Sequence, residues 1–209
     1  MQTKLKKGIF VAVVFLALLV VFSFNNQVFS SDTSATSPST VANVAGVGST
    51  NWTNPTNATA SDNVYATVGL DDEYSTYLQA TNFGFSIPSD ATINGVTVEI
   101  ERKSIASNQN KDTNVKLVKG GVIGGNNKAD TSTFWTTSDA YITYGASNDL
   151  WGLSLTAADV NSSDFGVVLS VYGASNYRTG YVDHIRMTIS YTSSGGSATA
   201  SGQGIIWFE

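Results

Sequence analysis

Cysteine is absent from this chain, histidine occurs once, as His184, and proline only three times. The missing thiols exclude disulfides, iron–sulfur clusters and thiolate zinc sites, and a lone imidazole excludes a multi-histidine metal centre. A fold of this chain must therefore rest on an apolar core, with or without a bound hard cation. Basic residues are also scarce, with 11 Lys and Arg against 16 Asp and Glu. No basic stripe is left to neutralise phosphates, so nucleic acid is not expected as a partner. Catalytic signatures are missing as well. There is no G-x-S-x-G, no H-E-x-x-H, no glycine-rich phosphate loop and no Cys–His pair, and the expectation is a protein without turnover.

One long apolar run is present, and it lies at the N-terminus. Lys4, Lys6 and Lys7 precede an uninterrupted apolar stretch from Ile9 to Phe22, which Asn25, Asn26 and Gln27 close. With Val28-Phe29-Ser30 before a cut after Ser30, residues 1–30 read as a secretory signal peptide. The run is shorter than the roughly 20 residues a membrane-spanning helix needs. Two other readings stay open. Ser23 and Phe24 could lengthen the run into an uncleaved anchor, the one way this chain would meet a membrane. A pilin-type leader cut after Gly8 is disfavoured by Val13, where such leaders carry a glutamate. Export implies an extracytoplasmic location, secreted or at the cell surface. Removing residues 1–30 takes away three lysines and no acids, leaving 8 basic against 16 acidic residues and a net charge of −8. Such acidity keeps an exported protein soluble and favours cations near its surface.

Composition divides the remainder. Residues 31–50, rich in Ser, Thr, Ala, Val and Gly, read as a flexible spacer. One domain follows over 51–192, then a Gly/Ser linker over 193–204 and an apolar C-terminal segment over 205–209. Within the domain the hydrophobic period is two. Val96, Val98 and Ile100 alternate with Thr97, Glu99 and Glu101, and Ile185, Met187 and Ile189 alternate with Arg186 and Thr188. Phe165, Val167, Leu169 and Val171 share one face of another strand. Shorter strands are expected at Val64–Leu70, Leu78–Phe85, Val115–Val118 and Tyr141–Tyr144, punctuated by Gly and Asn turns. The one helical signal is the capping box Thr156-Ala157-Ala158-Asp159. The expected fold is all-β, an antiparallel jelly-roll-like β-sandwich behind an N-terminal apolar signal helix.

Three stretches add a family likeness. They are Phe83-Gly84-Phe85-Ser86-Ile87-Pro88 leading to Ala91-Thr92-Ile93-Asn94-Gly95-Val96, Asp149-Leu150-Trp151-Gly152, and Phe165-Gly166-Val167 with Val182-Asp183-His184-Ile185. Over about Trp52 to Thr192 the chain resembles uncharacterised β-sandwich domains of bacterial exported proteins and phage structural proteins. The first stretch resembles, more loosely, the jelly-roll carbohydrate-binding modules. The resemblance implies a fold and carries no catalytic residue.

Candidate sites follow from residue type and parity. Trp135, Tyr144 and Tyr177, with Arg178 beside the last, stand in or near loops and are the expected platform for a glycan or another surface polymer. Trp52 and Trp151 read as core plugs. Counting back by twos from Ile189 places Asp183 on the inward face. There it either caps a neighbouring loop or shares a structural Ca2+ with Asp62 or Asn63. Asp71 and Asp72 form a second acidic loop, a cation site or a soluble turn. His184 and the pair Glu99 and Glu101 are expected on the solvated face. Ile205, Ile206, Trp207 and Phe208 are expected to dock as a strand on this domain or on a like subunit. The expected function is glycan or surface-polymer binding. The alternative is a structural subunit of an extracellular filament or phage-like appendage.

Overall fold

The computed structural model describes residues 28–194. The apolar N-terminal run and the docking segment Ile205 to Phe208 lie outside the described residues. In chain order the elements are β1 (Val28–Asp32), β2 (Thr40–Val44), a 3-10 turn (Pro55–Ala58), β3 (Ala66–Leu70), β4 (Glu73–Tyr74), β5 (Tyr77–Thr81) and β6 (Thr92–Ser104). There follow β7 (Asn110–Lys119), β8 (Val122–Gly124), β9 (Ala140–Ala146), the one-turn helix α1 (Ala157–Asn161), β10 (Gly166–Gly173) and β11 (Arg178–Ser194).

The strands form two antiparallel sheets. One runs β1-β11-β6-β9, with β3 also paired to β11; the other runs β2-β5-β10-β7-β8, with β4 also paired to β10. Their facing sides share one core. Val98, Ile100, Ile185 and Met187 come from the first sheet, and Leu117, Val167 and Leu169 from the second. Each such side chain contributes about 1.5–3 kcal/mol on burial, more than the net value of a ladder hydrogen bond. The period-two pattern is thus what commits these segments to strands. Trp52 and Trp151 are buried as expected. The Trp151 indole N–H donates to the Val96 carbonyl at 2.8 Å. The Thr156–Asp159 capping box is formed and opens α1.

Residues 31–50 are not a free spacer. β1 pairs with Ser190–Ser194 of β11, Thr36 exchanges backbone hydrogen bonds with Met187, and β2 pairs along β5. β11 extends over 17 residues, and its partner β3 reaches only from Arg178 to Val182. β1 completes the far part of that edge. Val41 is the one fully buried anchor of β2. Low hydrophobicity suggested a spacer because the gain here comes from backbone pairing at an open edge, which side-chain composition does not register.

Two bulges matter for the outer face of the first sheet. In the β6–β11 ladder Val182 opposes Arg102 and His184 opposes Glu101, so Asp183 is an extra residue. Val182 and Ile185 both enter the core. The bulge therefore breaks the parity count at Asp183, which does not project inward with Ile185. The second bulge lies at Asn94, between the Gly95–Ser190 and Ile93–Tyr191 pairs.

Candidate functional site

Two of the four residues expected to hold a ligand are interior. Trp135 is 2% exposed and Tyr144 4%. Both point at Asp112 of β7, the indole N–H donating to Oδ1 at 2.7 Å and the Tyr144 hydroxyl to Oδ2 at 2.8 Å. Arg102 of β6 closes the group, 3.2 Å from Asp112 and with its guanidinium 4.5 Å from the Trp135 ring centre. Burial pushes the Asp112 carboxyl up, against the pull of Arg102, Tyr144 and Trp135. A buried carboxylate is tolerated only with such partners. Trp135 and Tyr144 are thus held by a polar knot in the core and offer no ring to a polymer.

The other two stay at the surface. Tyr177 is 77% exposed in the β10–β11 turn, with φ of 49° next to Asn176 at 79°. Positive φ is unusual for a bulky side chain. Asp71 accepts the Asn176 N–H and so ties this turn to the loop before β4. Arg178 is half-buried and donates to the Ser175 carbonyl.

Beside this turn lies a row that the sequence reading did not single out. Tyr74 of β4, Tyr172 of β10 and Lys111 of β7 occupy one register line, which a bridge from Lys111 extends to Phe134. Tyr172 follows the inward-facing Val171 and so points outward. The two tyrosine rings are 5.3 Å apart and tilted by 51°. The Lys111 ammonium lies 5.5 Å from the Tyr172 ring centre and 5.6 Å from that of Phe134. The Tyr172 hydroxyl donates to Asp72, a bond that raises the phenol pKa. Asp71 and Asp72 thus serve as acceptors for this end of the sheet. Tyr172 was legible in principle, being the aromatic residue off the core parity of β10. Its three neighbours required the strand pairing.

The outer face of the first sheet carries a polar cluster. His184 is 7% exposed, covered by the Thr59 bridge and shared between Ser37 Oγ at Nε2 (2.8 Å) and the Tyr141 hydroxyl at Nδ1 (2.7 Å). It lies on the expected face but is not solvated. Burial lowers its pKa, with Glu101 acting the other way. A serine on an imidazole has the contact of a nucleophile and its base. Here the second nitrogen meets a neutral phenol where an orienting carboxylate would stabilise the imidazolium. Desolvation disfavours that cation further, and the two hydrogen bonds join the N-terminal segment and β9 to β11.

Asp183 is 1% exposed and accepts the Asn63 N–H at 3.2 Å, which fits the expected loop cap. Burial raises its pKa, the Asn63 and Asp62 N–H groups oppose this, and the charges of Glu101 and Asp139 add to it. The Asp62 carboxylate turns away to the Val64 N–H. Glu99 is taken by Arg186 in a two-point contact of 2.8 and 2.9 Å. Asp139 accepts from Tyr65 at 2.6 Å and Lys103 at 3.3 Å. Among the described residues, no group of three or more carboxylate or imidazole side chains is placed to enclose a metal ion. Neither a scan against family models nor a comparison with curated proteins finds a match for this chain.

Proposed function

We propose that this protein is an exported, non-catalytic β-sandwich of jelly-roll type that binds a glycan or another surface polymer. The observation that carries this reading is the outward row Tyr74, Tyr172, Lys111 and Phe134, with Tyr177 exposed at the same end of the sheet. The apolar C–H face of a pyranose stacks on aromatic rings, while its hydroxyl rim needs polar partners. Lys111 and Asp72 stand beside the rings in that role. Tyr172 and Lys111 lie on long paired strands, so their spacing is fixed before any ligand arrives.

The test is a glycan array with a hydrolysis assay on the same polysaccharides. Retention that falls tenfold or more in Tyr74→Ala and Tyr172→Ala, at unchanged melting temperature and without hydrolysis, supports the reading. Turnover that a carboxylate substitution abolishes overturns its non-catalytic part, and retention indifferent to both tyrosines overturns the row.

A second reading, a structural subunit, is favoured by one observation. β8 is an edge strand on which Val122 is 69% exposed. Such an edge suits pairing with a like subunit. Light scattering behind size exclusion checks it, and a strict monomer over a wide concentration range counts against it.

A further inference from the structure

We propose that the outer face of the β3-β11-β6-β9 sheet binds a hard divalent cation, calcium or magnesium, between the carboxylates of Asp183 and Glu101. The inference is independent of the aromatic row, which lies on the other sheet.

The bulge in β11 is the origin of the site. By adding Asp183 to the ladder, it places two residues, Asp183 and His184, against Glu101 alone. Asp183 is 1% exposed, and while Oδ2 has the Asn63 N–H, Oδ1 is buried with no hydrogen-bond partner. Glu101 Oε2 and Asp139 Oδ1 share this condition. Among the described residues every buried side-chain oxygen or nitrogen without a partner is one of these three carboxylate oxygens. Unpaired buried polar groups are ordinarily few and scattered. Three neighbouring ones of the same sign and chemistry point to a positive ligand.

The neighbouring cations are committed elsewhere. The Lys103 ammonium contacts the Tyr65 hydroxyl at 2.6 Å and Asp139 at 3.3 Å, and Arg186 is bound to Glu99. Each approaches a carboxylate oxygen other than the unpaired ones. Tyr65 donates to Asp139 and the Asn63 N–H to Asp183, so the Asn63–Tyr65 segment lies against this face. A three-carboxylate cage is not required. Magnesium is commonly held by one or two carboxylates and keeps several waters, and calcium accepts carboxylates together with carbonyl oxygens and water.

The experiment uses the purified protein, stripped with EDTA and titrated near pH 7 with calcium chloride and, separately, magnesium chloride. Calorimetric titration and thermal unfolding are both read. Saturable one-to-one binding of either ion is expected, with a melting temperature raised by roughly 5–10 °C at a hundredfold excess over the dissociation constant. Asp183→Asn and Glu101→Gln should each abolish the response, and Glu99→Gln should retain it. Either variant suffices if the other fails to fold, and the wild-type titration needs neither. No binding heat and identical melting curves with both ions would overturn the proposal, as would binding undiminished in both variants. An Asp183→Asn variant more stable than an ion-indifferent wild type would also overturn it, showing that the unpaired oxygen carries a proton.

Discussion

Asp112 receives the Trp135 indole on one carboxylate oxygen and the Tyr144 hydroxyl on the other, while Arg102 neutralises it from β6. The contact converts two aromatic residues that look ligand-facing in the sequence into parts of the core. Because the pair is fully desolvated, removing one member leaves the other charge buried alone. Asp112→Ala should cost about 3–5 kcal/mol in urea unfolding. Replacing Arg102 and Asp112 together by apolar residues should cost less than Asp112→Ala alone. A single-variant loss below about 1 kcal/mol would show that solvent already reaches the pair.

Gly145 is a second pressure point. Its φ is +72°, and a β-carbon there would stand 2.4 Å from the Val96 carbonyl oxygen and 2.5 Å from the Trp151 indole nitrogen. These are the two ends of the hydrogen bond that seats Trp151. Gly145→Ala should destabilise by at least about 2 kcal/mol, through both backbone strain and a displaced tryptophan. Gly69, with open space around it, is the control, and Gly69→Ala should stay within about 0.5 kcal/mol.

The N-terminal strands make a prediction about length. A chain starting at Asn51 loses β1 and β2, the Val41 anchor and the Ser37–His184 contact. Its melting temperature should fall by roughly 5 °C or more relative to a chain starting at Val28. Equal melting curves would return residues 31–50 to the status of a spacer.

Acid sensitivity should come in part from Asp149 and Asp159. At Asp149 burial raises the carboxyl, but Lys128 at 2.6 Å and the Trp151 N–H outweigh it, and the pKa is lowered from 3.8. At Asp159 burial likewise opposes Thr156 and Lys119, and the result is again lowered. A carboxyl depressed on folding contributes stability above its unfolded pKa and loses it as pH falls through the folded value. Stability should therefore drop below about pH 4. Asp149→Asn should flatten that drop while lowering stability at pH 7, and a parallel pH curve for the variant would refute the assignment.

The strands that carry the core were legible because burial on one face writes a period of two into the sequence. β6, β10 and β11 show it plainly, and apart from the bulges at Asn94 and Asp183 their segments fold as the alternation requires. The Thr156–Asp159 capping box was legible for a similar reason, since a cap acts over three residues. β1, β2, β4 and β8 were not, being short strands whose formation depends on neighbours distant in the chain. Tyr144 sits at an inward position of β9, but its site-like appearance vanished only once Asp112 was opposite.

The sequence by itself determined the all-β class, the inward rows of the long strands and the burial of Trp52 and Trp151. These depend on local periodicity and on the cost of exposing large apolar side chains, both written in neighbouring residues. Tertiary structure alone decided that Asp183 leaves the core face, that His184 is enclosed, and that Tyr74, Tyr172, Lys111 and Phe134 form one row. Each of those depends on strand register. One added residue in a ladder reverses the parity of every residue beyond it, and pairing joins residues distant in the chain, as at Tyr74 and Tyr172 or Val28 and Ser194.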